Sequence, residues 1–517
     1  MPERTNIIII LCDELRADVL GCYGNPLVRT PNIDRLAAQS VRFDRAYVQS
    51  PVCLPSRVSF ATGRYMRSHG AFDNYFRPSE GEISLYEVLR RQGYRTINYG
   101  KWHKGVSPGE FGIDESSDFD DGTTAFGIVD PVERRSVPHK RSPGSLPLVI
   151  YGRHPRSATR TKAAQVADAS ISRLRELASQ DQGPFLLRAS FNEPHTPILP
   201  PRPFDELYDP ESIDLPASFN VSLTTKPVVQ QYYARARRFE ELTEEDFRRC
   251  RAAYFGLVSF VDTQVGRILD AIDELRLFET SIVLFLADHG AMLGEQRMIE
   301  KWGHFYEPVV RVPLLMRFPD RRAAGSVCRD LVEEIDVMPT VFDFLQLPVP
   351  DRVQGRSLLA LIDGASDQDR TRVISEWYAG GLLDQPISMV RTKRWKLTSY
   401  PAQERIDARL PLDHPLKYSD LFDDPLVEGE LYDLANDPGE TRNRFDDPDV
   451  RDVRAGLEAD LAAWSSAQAA ADFRATQPRE GWWWGYFKLE QGDWLARLQA
   501  AGGNDMASAP RRRADLD

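Results

Sequence analysis

This sequence predicts an α/β fold in which a large, mostly parallel sheet is sandwiched by helices, with a smaller C-terminal α+β domain containing an antiparallel sheet. Three observations carry that expectation: short β-branched runs without polar alternation, amphipathic helical stretches between them, and a change of pattern near residue 375. The 517 residues exceed a usual single domain, so we place a first domain at residues 1–375 and a second at 376–517.

Asn6-Ile-Ile-Ile-Ile-Leu11 reads as a buried parallel strand. Thr30 to Leu36 opens a helix, with Thr30 as cap and Pro31 at the first helical position. Glu82 to Gln92 has helical spacing and stops at Gly93, after which Tyr94 to Tyr99 forms a second strand. From Gly105 to Thr161 the chain is rich in Gly, Ser, Pro and Arg and lacks a period, as a functional loop or insertion would. A helix over Ala163 to Ser179 and a strand over Pro184 to Ser190 follow. Leu257, Val261, Val265, Ile268, Leu269 and Ile272 lie on one face of a helix spanning Ala252 to Leu275. Ser281 to Ala287 and Val312 to Phe318 are two more strands. In the second domain, Ile387 to Tyr400 and Glu430 to Leu434 suggest antiparallel strands, and Asp449 to Trp464 a helix. Trp482, Trp483, Trp484, Tyr486 and Phe487 form an aromatic tail, expected to pack on its own domain or on a neighbouring subunit.

Hydrophobic residues at 42% and charged residues at 27% describe an ordinary globular chain. The formal charge of −12 gives no reason to expect nucleic acid or an anionic membrane as partner. An anionic substrate must then be drawn by local positive groups. The N-terminus has no basic segment leading into a long apolar run, and no stretch is long enough to span a bilayer. Five scattered cysteines (Cys12, Cys22, Cys53, Cys250 and Cys328) show no zinc-like pairing, which predicts a reduced, cytoplasmic protein.

Four strands end in groups able to do chemistry: Asp13 and Glu14; Lys101 and His103; His195; Asp288 and His289. In open α/β sheets the ligand crevice lies beyond the carboxyl ends of the strands, so these groups are expected to meet in one cleft. Singly, Asp13 reads as a helix cap, Asp288 as a turn residue and the histidines as structural. Together, three carboxylates and an imidazole suit a divalent cation. Cys53 sits in Cys53-Leu-Pro-Ser-Arg57, with Pro55 suited to a first helical turn. A cysteine is more often a buried small hydrophobe, but a helix N-terminus favours an anion or a nucleophile, and Arg57 would need an anionic partner.

At this point the sequence resembles the type I, formylglycine-dependent sulfatases of the alkaline phosphatase superfamily. Cys53-Leu-Pro-Ser-Arg57 matches the signal read by the formylglycine-generating enzyme, and Ala61-Thr-Gly-Arg64 continues it. Gly100-Lys-Trp-His-Lys-Gly105, Glu193-Pro-His-Thr-Pro197, Ala287-Asp-His-Gly290 and Glu430-Leu-Tyr-Asp-Leu434 follow in family order. The resemblance implies an alkaline phosphatase-like fold and hydrolysis of a small anionic sulfate ester to an alcohol and inorganic sulfate. Cys53 would become formylglycine, whose hydrate attacks sulfur beside Arg57. Asp13, Glu14, Asp288 and His289, with the side chain at 53, would hold one divalent metal ion, calcium ahead of manganese or magnesium. Lys101 and Lys301 would neutralise the sulfate, His195 with Lys301 would protonate the leaving alkoxide, and His103 would take a proton from the second hydroxyl so that sulfate is expelled. Asn74 would add a contact near the nucleophile, on the substrate side with Lys101, His195 and Lys301. A homo-oligomer, dimer or tetramer, is also expected.

Two departures stand out. Glu14 stands where the family often has Asp, and His289 where many members carry Asn. A histidine there occurs in some sulfatases and in the related phosphonate monoester hydrolases, which makes hydrolysis of phosphonate monoesters or phosphodiesters at the same site the second expectation. The Lys101-Trp-His103 element favours sulfate. A non-catalytic binding protein on the same fold would need loss of the nucleophile or the ligands, and all of them are present. His69, His154 and His304 read as structural, with His304 near enough to Lys301 to touch substrate. Arg153, Arg156 and Arg160 read as solvated or as lining the mouth of the cleft.

Overall fold

A computed structural model of the chain describes residues 5–74, 76–119, 132–137, 148–180, 183–301, 303–365, 370–378, 386–400 and 427–468. The aromatic tail lies outside the described residues. Eight strands form the main sheet, in the order Val327–Cys328, Val41–Phe43, Leu314–Arg317, Ser281–Ala287, Asn6–Asp13, Phe185–Pro194, Arg95–Gly100, Glu115–Ser117. Asn6–Asp13 is central and pairs in parallel with Phe185–Pro194 on one side and Ser281–Ala287 on the other. The strand expected at Val312 to Phe318 forms as Leu314–Arg317 and runs antiparallel to its neighbour, so the sheet is mixed.

The β-branched run explains this placement. Ile8, Ile10 and Cys12 face one apolar layer while Ile7, Ile9 and Leu11 face another, so neither surface of the strand could meet water without large cost. Truncating Ile10 to Ala would cost about 2–5 kcal/mol through the cavity left behind. The first layer is closed by the helix Lys162–Gln180 and the long helix Glu244–Glu274, the second by Cys53–Thr62, Leu85–Arg91 and Val337–Phe344.

Glu244–Glu274 begins eight residues before the expected start at Ala252. Its buried face extends back through Tyr254 and Cys250 to Phe247, and Thr243 and Asp246 form a reciprocal capping box that starts the helix there. Thr30 stands at the N-cap of Pro31–Ala37 without capping it through its side chain. The first-turn N–H groups of Asn32 and Ile33 instead donate to Asp262 of the long helix, at 3.1 and 2.8 Å. The stretch expected to be irregular carries the short strand Glu115–Ser117 and an antiparallel pair, Val132–Val137 with Leu148–Arg153.

Beyond the main sheet, Arg372–Trp377, Ile387–Thr392, Trp395–Ser399 and Gly429–Asp433 form a four-stranded antiparallel sheet in sequence order. The helix Arg451–Ala467 covers it, with Leu457, Leu461 and Trp464 packed against Ile374, Val390, Leu397 and Leu431. No helix among the described residues is long and apolar enough to cross a membrane. All five cysteines are free.

Candidate active site

The strand ends converge. At the tip of the central strand the pairing slips between Cys12 and Asp13, and Glu14 takes a left-handed conformation (φ 63°), rare for a residue with a side chain. That twist sends Asp13 and Glu14 in different directions from adjacent positions. Asp13 is fully buried, with Oδ2 2.8 Å from Arg57 Nη2 and 2.6 Å from Lys101 Nζ. The Glu14 carboxylate lies 3.0 Å from Lys301 Nζ and 3.4 Å from His195 Nε2, while the Glu14 N–H donates to Asp288 Oδ1 at 3.1 Å.

Cys53 is the first residue of the buried helix Cys53–Thr62, as Pro55 in its first turn predicts. Its Sγ lies 3.1 Å from His289 Nε2 and 3.7 Å from Asp13 Oδ1, and His103 stands near enough to bear on its charge. Burial pushes the thiol up, but Lys301, Lys101 and His289 outweigh burial and hold it well below the ordinary thiol range. Asn74 Oδ1 accepts the N–H of Leu54 at 3.0 Å, which ties down the first turn of that helix one residue beyond Cys53.

Arg57, one turn further along, spans two carboxylates: Nε sits 2.6 Å from Asp288 Oδ2 while Nη2 holds Asp13. The Nδ1 of His289 donates to its neighbour's carbonyl, Gly290 O, at 2.9 Å, which leaves Nε2 facing Cys53 and Asp13; burial is outweighed by Asp288 and Cys53, which push the imidazole up to about 9, so Nε2 keeps its proton until a cation takes its place. Lys301 Nζ lies 2.6 Å from His195 Nε2, and the other ring nitrogen of His195 donates to the Thr196 carbonyl. His103 is also left-handed (φ 42°), and its buried Nδ1 has no hydrogen-bond partner among the described residues. Burial, with Lys101 nearby, lowers its pKa, so the ring is neutral and free to accept a proton.

Of the expected site residues, Asp13, Glu14, Cys53, Arg57, Lys101, His103, His195, Asp288, His289 and Lys301 thus meet in one place. Asp13, Cys53, Asp288 and His289 offer donor atoms that all lie within 4.8 Å of one another. His289 Nε2 stands 3.6 Å from Asp13 and 3.7 Å from Asp288, the spacing that neighbouring ligands of one hard cation with bonds of about 2.4 Å keep. Two carboxylates and an imidazole fit such an ion. Glu14 falls in a separate set with Asp13 and His195.

Arg188 belongs here and was not expected. It is fully buried on the strand Phe185–Pro194, and its Nη2 donates to the Lys101 carbonyl at 3.2 Å and to Ser190 Oγ at 3.0 Å. Arg57 Nη1 donates to the same two oxygens, at 3.1 and 3.0 Å. An arginine interrupting an apolar strand is the sequence signal that points to it. Lys104 is likewise buried, donating to the Arg57 carbonyl at 2.9 Å. Of the histidines read as structural, His69 is buried between Ser59 and Ala71, His154 accepts from Arg156, and His304 is buried beside Tyr306.

The helix-covered, mostly parallel sheet, with carboxylates, imidazoles and cations gathered beyond its strand ends, places the chain in the alkaline phosphatase-like fold class. Within that class the chain belongs to the sulfatase family and is a sulfuric ester hydrolase. The family model "Sulfatase" matches residues 5–347, and "N-sulphoglucosamine sulphohydrolase, C-terminal" matches residues 294–428. The chain is 32% identical over 409 residues to iduronate 2-sulfatase of Mus musculus, covering 68% of this chain and 70% of the relative. It is 28% identical over 508 residues to choline-sulfatase of Rhizobium meliloti, covering 95% and 92% of the two chains. Among solved structures, the phosphonate monoester hydrolase of Agrobacterium radiobacter shares the fold with a TM-score of 0.72 at 23% identity, covering 90% of this chain and 96% of that one.

Proposed function

We propose that the chain cleaves sulfate esters at position 53, after a formylglycine-generating enzyme has oxidised Cys53 to formylglycine, and beside one divalent cation. The position of Cys53 carries this reading: a buried helix N-terminus, 3.1 Å from His289 Nε2 and 3.7 Å from Asp13 Oδ1. Asp13, Asp288, His289 and the side chain at 53 would hold the cation, with Glu14 one step outside, and calcium is the first choice over manganese or magnesium. When bound, such a cation draws charge from the ester oxygens and lowers the pKa of a hydroxyl at position 53. Hydrated formylglycine has two hydroxyls, one to bond sulfur and one whose deprotonation lets the sulfate go.

The remaining work falls to the chain's own groups. Arg57 fixes the relative position of Asp13 and Asp288. Lys101 Nζ and Lys301 Nζ neutralise sulfate oxygens, with the charge stabilisation that dominates such sites. The proton for the leaving alkoxide sits between Lys301 Nζ and His195 Nε2, 2.6 Å apart. His103, neutral and beside Cys53, takes the proton from the second hydroxyl. Residues 1–375 would form the catalytic domain and residues 376–517 a C-terminal subdomain that shapes the alcohol side; Asn74, on the substrate side, holds the nucleophile's helix in place. A dimer or tetramer belongs to the same reading.

His289 beside Asp288 supports a second reading, a phosphonate monoesterase or phosphodiesterase at the same site. Parallel kcat/KM measurements with 4-nitrophenyl sulfate and 4-nitrophenyl phenylphosphonate separate the two. The sulfate ester is expected to be the better substrate, and a phosphonate efficiency far above the sulfate one overturns the choice.

A further inference from the structure

A second concentration of positive charge lies at the seam between the main sheet and the C-terminal antiparallel sheet. A cleft of about 550 Å³ opens there, and four arginines (Arg42, Arg45, Arg311, Arg391) line it against two carboxylates, Asp44 and Glu307. In a chain of formal charge −12 this is a marked local reversal of sign.

The acids do not use up the guanidinium groups. Arg42 Nη2 lies 3.0 Å from Asp44, yet its buried Nε has no hydrogen-bond partner among the described residues. Arg311 reaches Glu307 only at 3.9 Å, and its Nη1 donates to the Asp44 carbonyl at 3.2 Å. Arg391 is 5% exposed; its Nε stands 3.5 Å from Glu307, and its buried Nη1 has no hydrogen-bond partner among the described residues. Glu307 is already held by the Tyr47 hydroxyl at 2.9 Å and by Lys396 at 3.5 Å. A buried guanidinium N–H without an acceptor is destabilising, and a planar fork of such donors matches a tetrahedral oxyanion two oxygens at a time.

We infer that this seam is a second anion site, built for a sulfate group and separate from the catalytic centre. The group is either the free inorganic dianion or a further, singly charged sulfate ester on a larger ligand; the tetrahedral array of oxygens that the guanidinium groups recognise is the same. The site stands apart from the catalytic assignment, because none of its four arginines belongs to the cluster around Cys53.

Calorimetric titration of the full-length protein with sodium sulfate is expected to show two sites per chain. Arg45→Ala, at a half-buried residue on the seam, is expected to weaken one site by roughly tenfold or more and leave kcat on 4-nitrophenyl sulfate unchanged. Arg391→Gln should do the same, and Arg45→Ala keeps the test alive if the Arg391 variant fails to fold beside Glu307. Sucrose octasulfate as a second titrant distinguishes the two sources. Its loss of affinity in Arg45→Ala assigns the seam to an oligosulfated ligand, and loss of inorganic sulfate alone assigns it to the free ion. One sulfate site in the unaltered protein, or two equal sites kept in Arg45→Ala, overturns the inference.

Discussion

Lys301 Nζ lies 2.6 Å from His195 Nε2, the closest approach between a lysine and an imidazole at the site. Because the other ring nitrogen of His195 donates to the Thr196 carbonyl, Nε2 is the acceptor and the shared proton resides on the lysine side. Such a pair serves a leaving group that needs a proton and adds little for one that does not. His195→Ala is therefore expected to lower kcat on an alkyl sulfate by about 10²-fold or more, and on 4-nitrophenyl sulfate by far less. Equal losses on both substrates in steady-state assays would show that His195 does something other than supply a proton.

Asp288→Asn removes one carboxylate charge from the set formed with Asp13, Cys53 and His289. Metal content per chain, measured by inductively coupled plasma mass spectrometry after dialysis, is expected to fall well below that of the unaltered protein. Undiminished content would take Asp288 off the ligand set.

Arg188 and Arg57 share the Lys101 carbonyl and Ser190 Oγ, so Arg188 is a positioning residue for Lys101. Arg188→Met keeps the bulk in an apolar strand and removes these two hydrogen bonds together with the one to Asn98 Oδ1. A folded variant with kcat reduced about 10-fold and KM little changed is expected, since misplacing a charge that stabilises the transition state acts on the chemical step. A purely structural role would instead lower thermal stability and leave kcat of the folded fraction intact.

His69 is buried, accepts from the Ala71 N–H at Nδ1 and meets Ser59 Oγ at Nε2. Burial, with Arg64 nearby, pushes its pKa down from 6.5 to about 3. The unfolded chain takes up a proton below pH about 6.5 that the folded chain refuses until about 3, so the contribution is complete above 6.5 and drains away as pH falls. Between pH 6.5 and 5 the loss amounts to about 2 kcal/mol for one such group. Urea unfolding at pH 7 and pH 5 is expected to show a drop that is smaller by that amount in His69→Asn, which keeps an acceptor for Ala71. An identical drop in both proteins would mean that His69 is already protonated in the fold.

Much of the architecture was legible because the strands are buried on both faces: Asn6–Asp13 and Ser281–Ala287 carry their apolar identity in nearly every residue. The expected convergence of Asp13, His103, His195 and Asp288 followed from parallel strands alone, and Asp13 and His195 now face each other at 4.0 Å. What escaped detection was set by contacts distant in sequence. Arg188 is tolerated in the core by Asn98, Ser190 and the Lys101 carbonyl, none of which marks itself as its partner in the sequence. The Glu14 carboxylate turns to Lys301 because of a left-handed backbone that no propensity favours for glutamate. The charged residues between Phe247, Cys250 and Tyr254 diluted the apolar spacing at the start of Glu244–Glu274, though its capping residues Thr243 and Asp246 were in plain view.

The proposed catalysis depends above all on oxidation of Cys53 beside the carboxylate–imidazole cluster. The mass of the tryptic peptide Ala46–Arg57 from protein co-produced with a formylglycine-generating enzyme tests it most directly. Conversion of thiol to aldehyde lowers that mass by about 18 Da, with activity on 4-nitrophenyl sulfate rising in step with the converted fraction. Full sulfatase activity in protein whose peptide keeps the unmodified cysteine mass would contradict the account.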